Sequence, residues 1–203
     1  MDIFESVFAD RVHDLEVYLE NGGDPNVRDI DGHTLLHFCC IAHSVKCAKI
    51  LLDRKDVDPE VRDNYGYSPI FAAYARSFHE DNQVITMMVM KGIGLNDHHN
   101  ETTLLHYFAY YGHIAYVRHY LSLDADPDVQ DANGDTPLHG AFASGYMNVA
   151  DLLIREGADV YIKNNDGDTP IDILRLEYPE LVPRILENYE KVLSLKIKCP
   201  EDF

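Results

Sequence analysis

The stretch Gly134-Asp135-Thr136-Pro137-Leu138-His139, followed by Gly145, Leu152-Leu153-Ile154 and Gly157-Ala158-Asp159-Val160, decides the fold. Gly134 permits a turn conformation closed to other residues. Thr136 suits the cap of a helix, and Pro137 suits its first turn, where the missing N–H costs nothing. Gly145 breaks the chain between two antiparallel helices. The apolar run from Val149 to Ile154 gives the second helix a buried face, and Gly157 ends it and opens an extended loop. The same opening recurs along the chain as Thr34-Leu35-Leu36-His37, Ser68-Pro69-Ile70-Phe71, Thr103-Leu104-Leu105-His106 and Thr169-Pro170-Ile171-Asp172; with Thr136, the first residues stand 34, 35, 33 and 33 positions apart. Self-similarity at this period predicts stacked repeats.

The unit resembles the ankyrin repeat over nearly the whole chain. The resemblance implies an all-α solenoid of helix–loop–helix units joined by β-hairpin-like loops. It implies one domain over 1–203, with repeats at about 1–31, 32–65, 66–100, 101–133, 134–166 and 167–203. The first unit lacks the tetrapeptide and begins directly with a helix, as a capping repeat should. In the last, Tyr178-Pro179-Glu180 replaces the inter-helix glycine, and the second helix runs on through Leu186, Tyr189, Val192 and Leu193 as the other cap. The middle is least regular. The second unit has an extra residue near Asp53 to Asp56. The third has Phe71 in place of histidine, about three extra residues within Arg76 to Asn82, and an atypical terminal loop, Gly92 to Asn96. The fourth has Glu101 where the turn glycine belongs.

Composition narrows the function. A formal net charge of −18, from 35 Asp and Glu against 17 Lys and Arg, repels nucleic-acid phosphates and anionic lipid headgroups, and favours a partner with a basic patch. No apolar run reaches the length of a membrane span, and Met1-Asp2-Ile3-Phe4-Glu5 lacks a basic signal region. Cys39 and Cys40 are neighbours on one helix and do not suit each other as disulfide partners, so free thiols in a reducing cytoplasm are expected. The expected protein is a cytoplasmic monomer.

Catalytic and metal chemistry find little support in the pattern. His37, His106 and His139 occupy the tetrapeptide's fourth position, which the resemblance makes a packing residue tying one repeat's loop to the next. His98-His99 has no Cys or His at ligand spacing. The run from Asp124 to Asp135 imitates a calcium loop but has Val129 in place of the essential glycine and a stiffening Pro127. No nucleophile elbow, phosphate loop or paired-cysteine frame is present. The expectation is a non-enzymatic chain without cofactor or metal. The alternative is a small metal-dependent or hydrolytic enzyme, which would need Asp97, His98 and His99 to converge with a further ligand.

The resemblance places loop tips and exposed first-helix positions on one concave face. Carried onto this sequence, it gives Tyr65, Tyr67, Arg76, His99, Tyr110, Tyr111, Asp131, Asn133 and Asp135 as binding residues, with Tyr107 and Phe108 in the core. Tyr and Arg dominate binding hot spots because they bury area at modest entropic cost. Asp29, Asp31, Asp63, Asp131, Asp135, Asp166 and Asp168 would form an acidic rim that speeds encounter with a basic protein. Small proteins of this family serve as scaffolds, as adaptors, or as inhibitors made by viruses and intracellular bacteria. A structural spacer whose tail, Lys196 to Phe203, docks elsewhere is a further reading.

Overall fold

A computed structural model describes residues 2–76, 83–95 and 97–198, with the side chains of 75, 76 and 196–198 excepted. The expected insertion beyond Arg76 and the tail beyond Lys198 lie outside the described residues. The chain divides into two compact units, Met1–His99 and Asn100–Phe203.

The first unit holds three helix pairs: α1 (Ile3–Phe8) with α2 (Val12–Glu20), α3 (Leu35–Ala42) with α4 (Val45–Leu52), and α5 (Pro69–Arg76) with α6 (Gln83–Met90). First helices stack on first helices, α1 on α3 and α3 on α5. Second helices stack likewise, α2 on α4 and α4 on α6. No pair could bury its apolar face alone; stacking joins those faces into one core. Leu35, Leu36, Cys39, Leu51, Ile70, Phe71, Val84 and Met88 fill it. Each such leucine or phenylalanine contributes about 1.5–3 kcal/mol by leaving water. Cys39, Cys40 and Cys47 are buried and form no disulfide among the described residues, and burial raises their thiol pKa values. A two-residue strand, β1 (His98–His99), closes this unit.

The second unit opens with β2 (Thr102–Thr103) and holds α7 (Leu104–Tyr110) with α8 (Ile114–Leu121), α9 (Pro137–Ala143) with α10 (Met147–Glu156), and α11 (Pro170–Glu177) with α12 (Val182–Lys198). Here α7 packs on α9 and α9 on α11, while α8 packs on α10 and α10 on α12. Leu104, Phe108, Val117, Tyr120, Leu138, Phe142, Leu153, Ile171 and Leu174 form the core. A 3-10 turn, Pro179–Leu181, stands where α7–α8 and α9–α10 have Gly112 and Gly145.

The expected start signals are in place. Thr34, Thr103, Thr136 and Thr169 are the N-cap residues of α3, α7, α9 and α11. Gly145 lies between α9 and α10 at φ 76°, and Gly157 ends α10 at φ 112°. The loops between pairs fold back as tight hairpins. Asp29, Asp63, Asp131 and Asn164 each donate their N–H to the carbonyl four residues on, at 2.8–3.0 Å. Gly32 and Gly134 sit at φ 82° and 76°, and a Cβ there would stand 2.5 and 2.8 Å from the Asn64 and Asn165 side chains of the following loops. Only glycine meets both demands.

Candidate functional site

The loops are built from one device, repeated. In four of the loops, the residue five before the helix cap turns a side-chain oxygen onto two backbone N–H groups ahead of it. Asp29 takes Asp31 and His33, Asp63 takes Tyr65 and Tyr67, Asp131 takes Asn133 and Asp135, and Asn164 takes Asp166 and Asp168, at 2.8–3.1 Å. This corrects the expected rim. Asp63 is only 7% exposed and organises its loop. Asp131 is half-buried and Asp135 accepts from the Asn164 amide at 2.8 Å, so both hold structure as well as charge. Asp166 and Asp168 are exposed.

Loops are tied to their successors. The Asn64 amide donates to the Ile30 carbonyl at 3.1 Å, and the Asn165 amide to that of Ala132 at 3.0 Å. His33 lies between two carboxylates, Nδ1 at 3.1 Å from Asp29 and Nε2 at 3.4 Å from Asp63. Burial works against the Asp29 charge, but the His33 side-chain and backbone hydrogen bonds outweigh it and lower its pKa. Asp29, Asp31 and His33 form the one group among the described residues whose donor atoms approach within 4.8 Å of one another. Both Asp29 oxygens and both His33 nitrogens already face protein groups, so the cluster works as a clasp between loops.

The tetrapeptide histidines serve the scaffold. The Thr34 N–H donates to His37 Nδ1 at 3.0 Å, and Nε2 then donates to the Tyr67 carbonyl of the next loop at 3.0 Å. His106 repeats this with Thr103 and Asp135, and His139 with Thr136 and Asp168. An Nδ1 that accepts and an Nε2 that donates define the neutral imidazole. Burial lowers the pKa of all three, that of His37 to about 4, against the hydrogen bonds to the carbonyls.

Asp97, His98 and His99 do not converge. The buried Asp97 carboxylate takes the Ser68 hydroxyl and, at 2.6 Å, the Arg62 guanidinium. His98 is exposed. The His99 ring stacks on Tyr67, with centroids 3.9 Å apart. The acids from Asp124 to Asp135 bind backbone instead of gathering round a point: Asp126 takes the Asp128 N–H and Asp128 that of Asp159.

The nine expected binding residues divide between the units. In the first, Tyr65 is 60% exposed with its hydroxyl 3.5 Å from Asp31. Tyr67 and His99 are paired with each other, and the Arg76 side chain lies outside the described residues. In the second, Tyr110, Tyr111, Asp131, Asn133 and Asp135 line one groove of about 450 Å³. Tyr107, expected in the core, lines it too, while Phe108 is fully buried as expected. Residues 107, 110 and 111 stand at i, i+3 and i+4, one face of a helix, and that spacing was the signal available in the sequence. The Tyr107 and Tyr111 rings lie 24° from parallel, 6.3 Å apart, and Tyr110 meets Tyr111 edge-on at 5.1 Å. With His106 and His139 neutral behind it, the groove takes its charge from Asp131 and Asp135. Among the described residues, no lysine or arginine lines it.

A family model described as ankyrin repeats (3 copies) matches residues 7–96, 72–164 and 105–192. Human ankyrin repeat and SOCS box protein 16 is 31% identical over 165 residues, covering 78% of this chain and 36% of its own length. The chain spans about a third or less of the length of the first curated relatives it matches. Among solved structures, an ankyrin repeat domain from Acinetobacter baumannii superposes with a TM-score of 0.77 at 23% identity, covering 94% of this chain and 95% of that one. One chain of the complex between a predatory endopeptidase from Bdellovibrio bacteriovorus and an immunity protein gives a TM-score of 0.74 at 22% identity, with 91% of this chain and 95% of that one covered. At these identities the likeness is one of fold.

Proposed function

Since this chain belongs to the ankyrin-repeat family, whose repeats are generally protein–protein interaction modules, we propose that it is a non-enzymatic binding module for a basic protein, acting as an adaptor or an inhibitor by occupying that partner's surface. The observation that carries this reading is the groove of the second unit. Tyr110 is 51% exposed and Tyr111 36%; they stand over neutral histidines beside Asp131 and Asp135. Exposed tyrosines in a groove supply contact area at low entropic cost, and carboxylates with no lysine or arginine beside them among the described lining residues favour a positive partner. In the first unit, Tyr65 and the Tyr67–His99 pair belong to the same proposed binding set, with Arg76.

Partners taken from the native host should be compared between the parent chain, the double variant Tyr110→Ala/Tyr111→Ala, and Arg118→Glu on the exposed side of α8. A basic partner that is lost with the tyrosines and kept by Arg118→Glu supports the reading. One that ignores the tyrosines and is lost with Arg118 places the binding face on the second helices.

A further inference from the structure

The first unit carries a second aromatic groove, which shares none of the nine binding residues expected above and only Asp29 of the expected rim. Its lining is Asp2, Phe4, Glu5, Phe8, Asp29 and Phe38, around about 280 Å³. Phe4 and Phe8 are four apart on α1 and so share a face. Phe38 comes across from α3. The Phe4 and Phe38 rings are 5.1 Å apart at 43°, and Phe8 meets Phe38 at 6.5 Å and 77°. His33 backs Phe38 edge-on at 5.8 Å. Phe8 is 54% exposed, a large fraction for a phenylalanine beside partly buried aromatic neighbours.

Three carboxylates edge these three rings, and among the described residues no lysine or arginine lines the groove. Asp2 accepts the Phe4 N–H at 3.0 Å. Asp29 is held charged by His33. Glu5 is exposed. The face of an aromatic ring is itself negative, so rings and acids pull the same way. A neutral apolar ligand would gain only from the area it covers and would leave the acids unanswered.

We propose that this groove is a recognition site for an arginine side chain of a partner peptide. A guanidinium is planar and weakly hydrated, stacks on an aromatic face, and keeps N–H donors free at its edge for carboxylates. Its methylene stem covers apolar surface on the way in. The ammonium of lysine meets the same charges but is more strongly hydrated and cannot stack. The groove is thus expected to rank arginine above lysine, and both above an uncharged side chain of the same shape. The site does not rest on the tyrosine groove of the second unit, and either can hold without the other.

The test uses the full chain and blocked tripeptides Gly-X-Gly, with X arginine, lysine or citrulline, the last being arginine's uncharged isostere. Ring resonances of Phe8 and Phe38 are followed by NMR. The arginine peptide should shift both, saturating in the millimolar range, with citrulline roughly tenfold weaker and lysine between them. Phe8→Ala and Glu5→Gln should each weaken the arginine peptide by roughly threefold or more, and Tyr110→Ala should leave these shifts alone. Should Phe8→Ala disturb the fold, Glu5→Gln alone decides, because Glu5 is exposed. Citrulline binding as well as arginine, no saturable shift with arginine, or loss of the shifts in Tyr110→Ala with retention in Glu5→Gln would each overturn the assignment.

Discussion

One imidazole does two jobs in three of the repeats. His37, His106 and His139 each close the start of a helix through Nδ1 and reach the next loop through Nε2. In the unit that begins at Thr169, Asp172 stands in place of the histidine and does the first job, its carboxylate accepting from the Thr169 N–H at 3.2 Å and hydroxyl at 2.6 Å. Removing the ring should leave buried donors and acceptors unmade, so His139→Ala is expected to lower unfolding stability by about 1–3 kcal/mol, measured by urea denaturation. Partner affinity, measured where the variant is folded, should change little; unchanged stability with lost binding would make this residue part of the site. The same rings predict acid sensitivity. Burial depresses their folded pKa below the ordinary 6.5, to about 4 for His37. Between the two values the unfolded chain holds more protons, so their contribution is present above 6.5 and is lost as pH falls toward the folded pKa. Each histidine should add up to about 1.4 kcal/mol per pH unit to that slope. Denaturation between about pH 7 and pH 5 should be less steep in His37→Gln, which cannot titrate there; an unaltered slope would assign the sensitivity to other groups.

At the scale of the element, the helices were legible and the loop chemistry only partly so. The tetrapeptide period fixes where α3, α5, α7, α9 and α11 begin, because a cap residue, often a proline, and two apolar residues leave few alternatives. What the spacing could not separate was which loop acids serve the fold. Asp63 and Asp131 stand five residues before a cap and Asp166 three; the first two bind backbone N–H groups and the third faces water, and only the hairpin geometry shows what each register does. The helix faces held more than was read from them. Tyr107 shares the face of Tyr110 and Tyr111, and Phe4 that of Phe8, yet Phe38 joins the latter pair only through stacking of α1 on α3. The loop before α7 shows what happens when the device fails. His98 stands where Asp29, Asp63 and Asp131 stand in theirs, and Asn100 and Glu101 both adopt positive φ, 50° and 66°. A side chain in that region costs roughly 1–2 kcal/mol. Glu101→Gly should therefore stabilise the chain by about 1 kcal/mol, despite glycine's extra freedom when unfolded. A loss of stability in a urea titration would mean that the Glu101 side chain contributes more than its backbone costs.

Across the whole molecule the excess of acid bears on how fast a partner arrives more than on how tightly it stays. A net charge of −18 draws a basic protein through solvent, but much of that attraction is spent before contact and is screened by salt. The tyrosines act only once the surfaces meet. The two contributions are therefore separable in the proposed interface. Asp131 and Asp135 are poor probes of charge, because their oxygens also hold the loop together. Asp166 and Asp168 are exposed, and it is Asn164, not they, that clasps their loop. The double variant Asp166→Lys/Asp168→Lys should stay folded, slow association with a basic partner by roughly threefold or more at low salt, flatten the salt dependence of that rate, and leave dissociation nearly unchanged. Tyr110→Ala should do the reverse, costing roughly 2 kcal/mol mainly through faster dissociation. Surface-binding kinetics with the purified partner at two salt concentrations read both. If charge reversal speeds dissociation while the tyrosine change slows association, the assignment of acid to encounter and aromatic rings to retention is wrong.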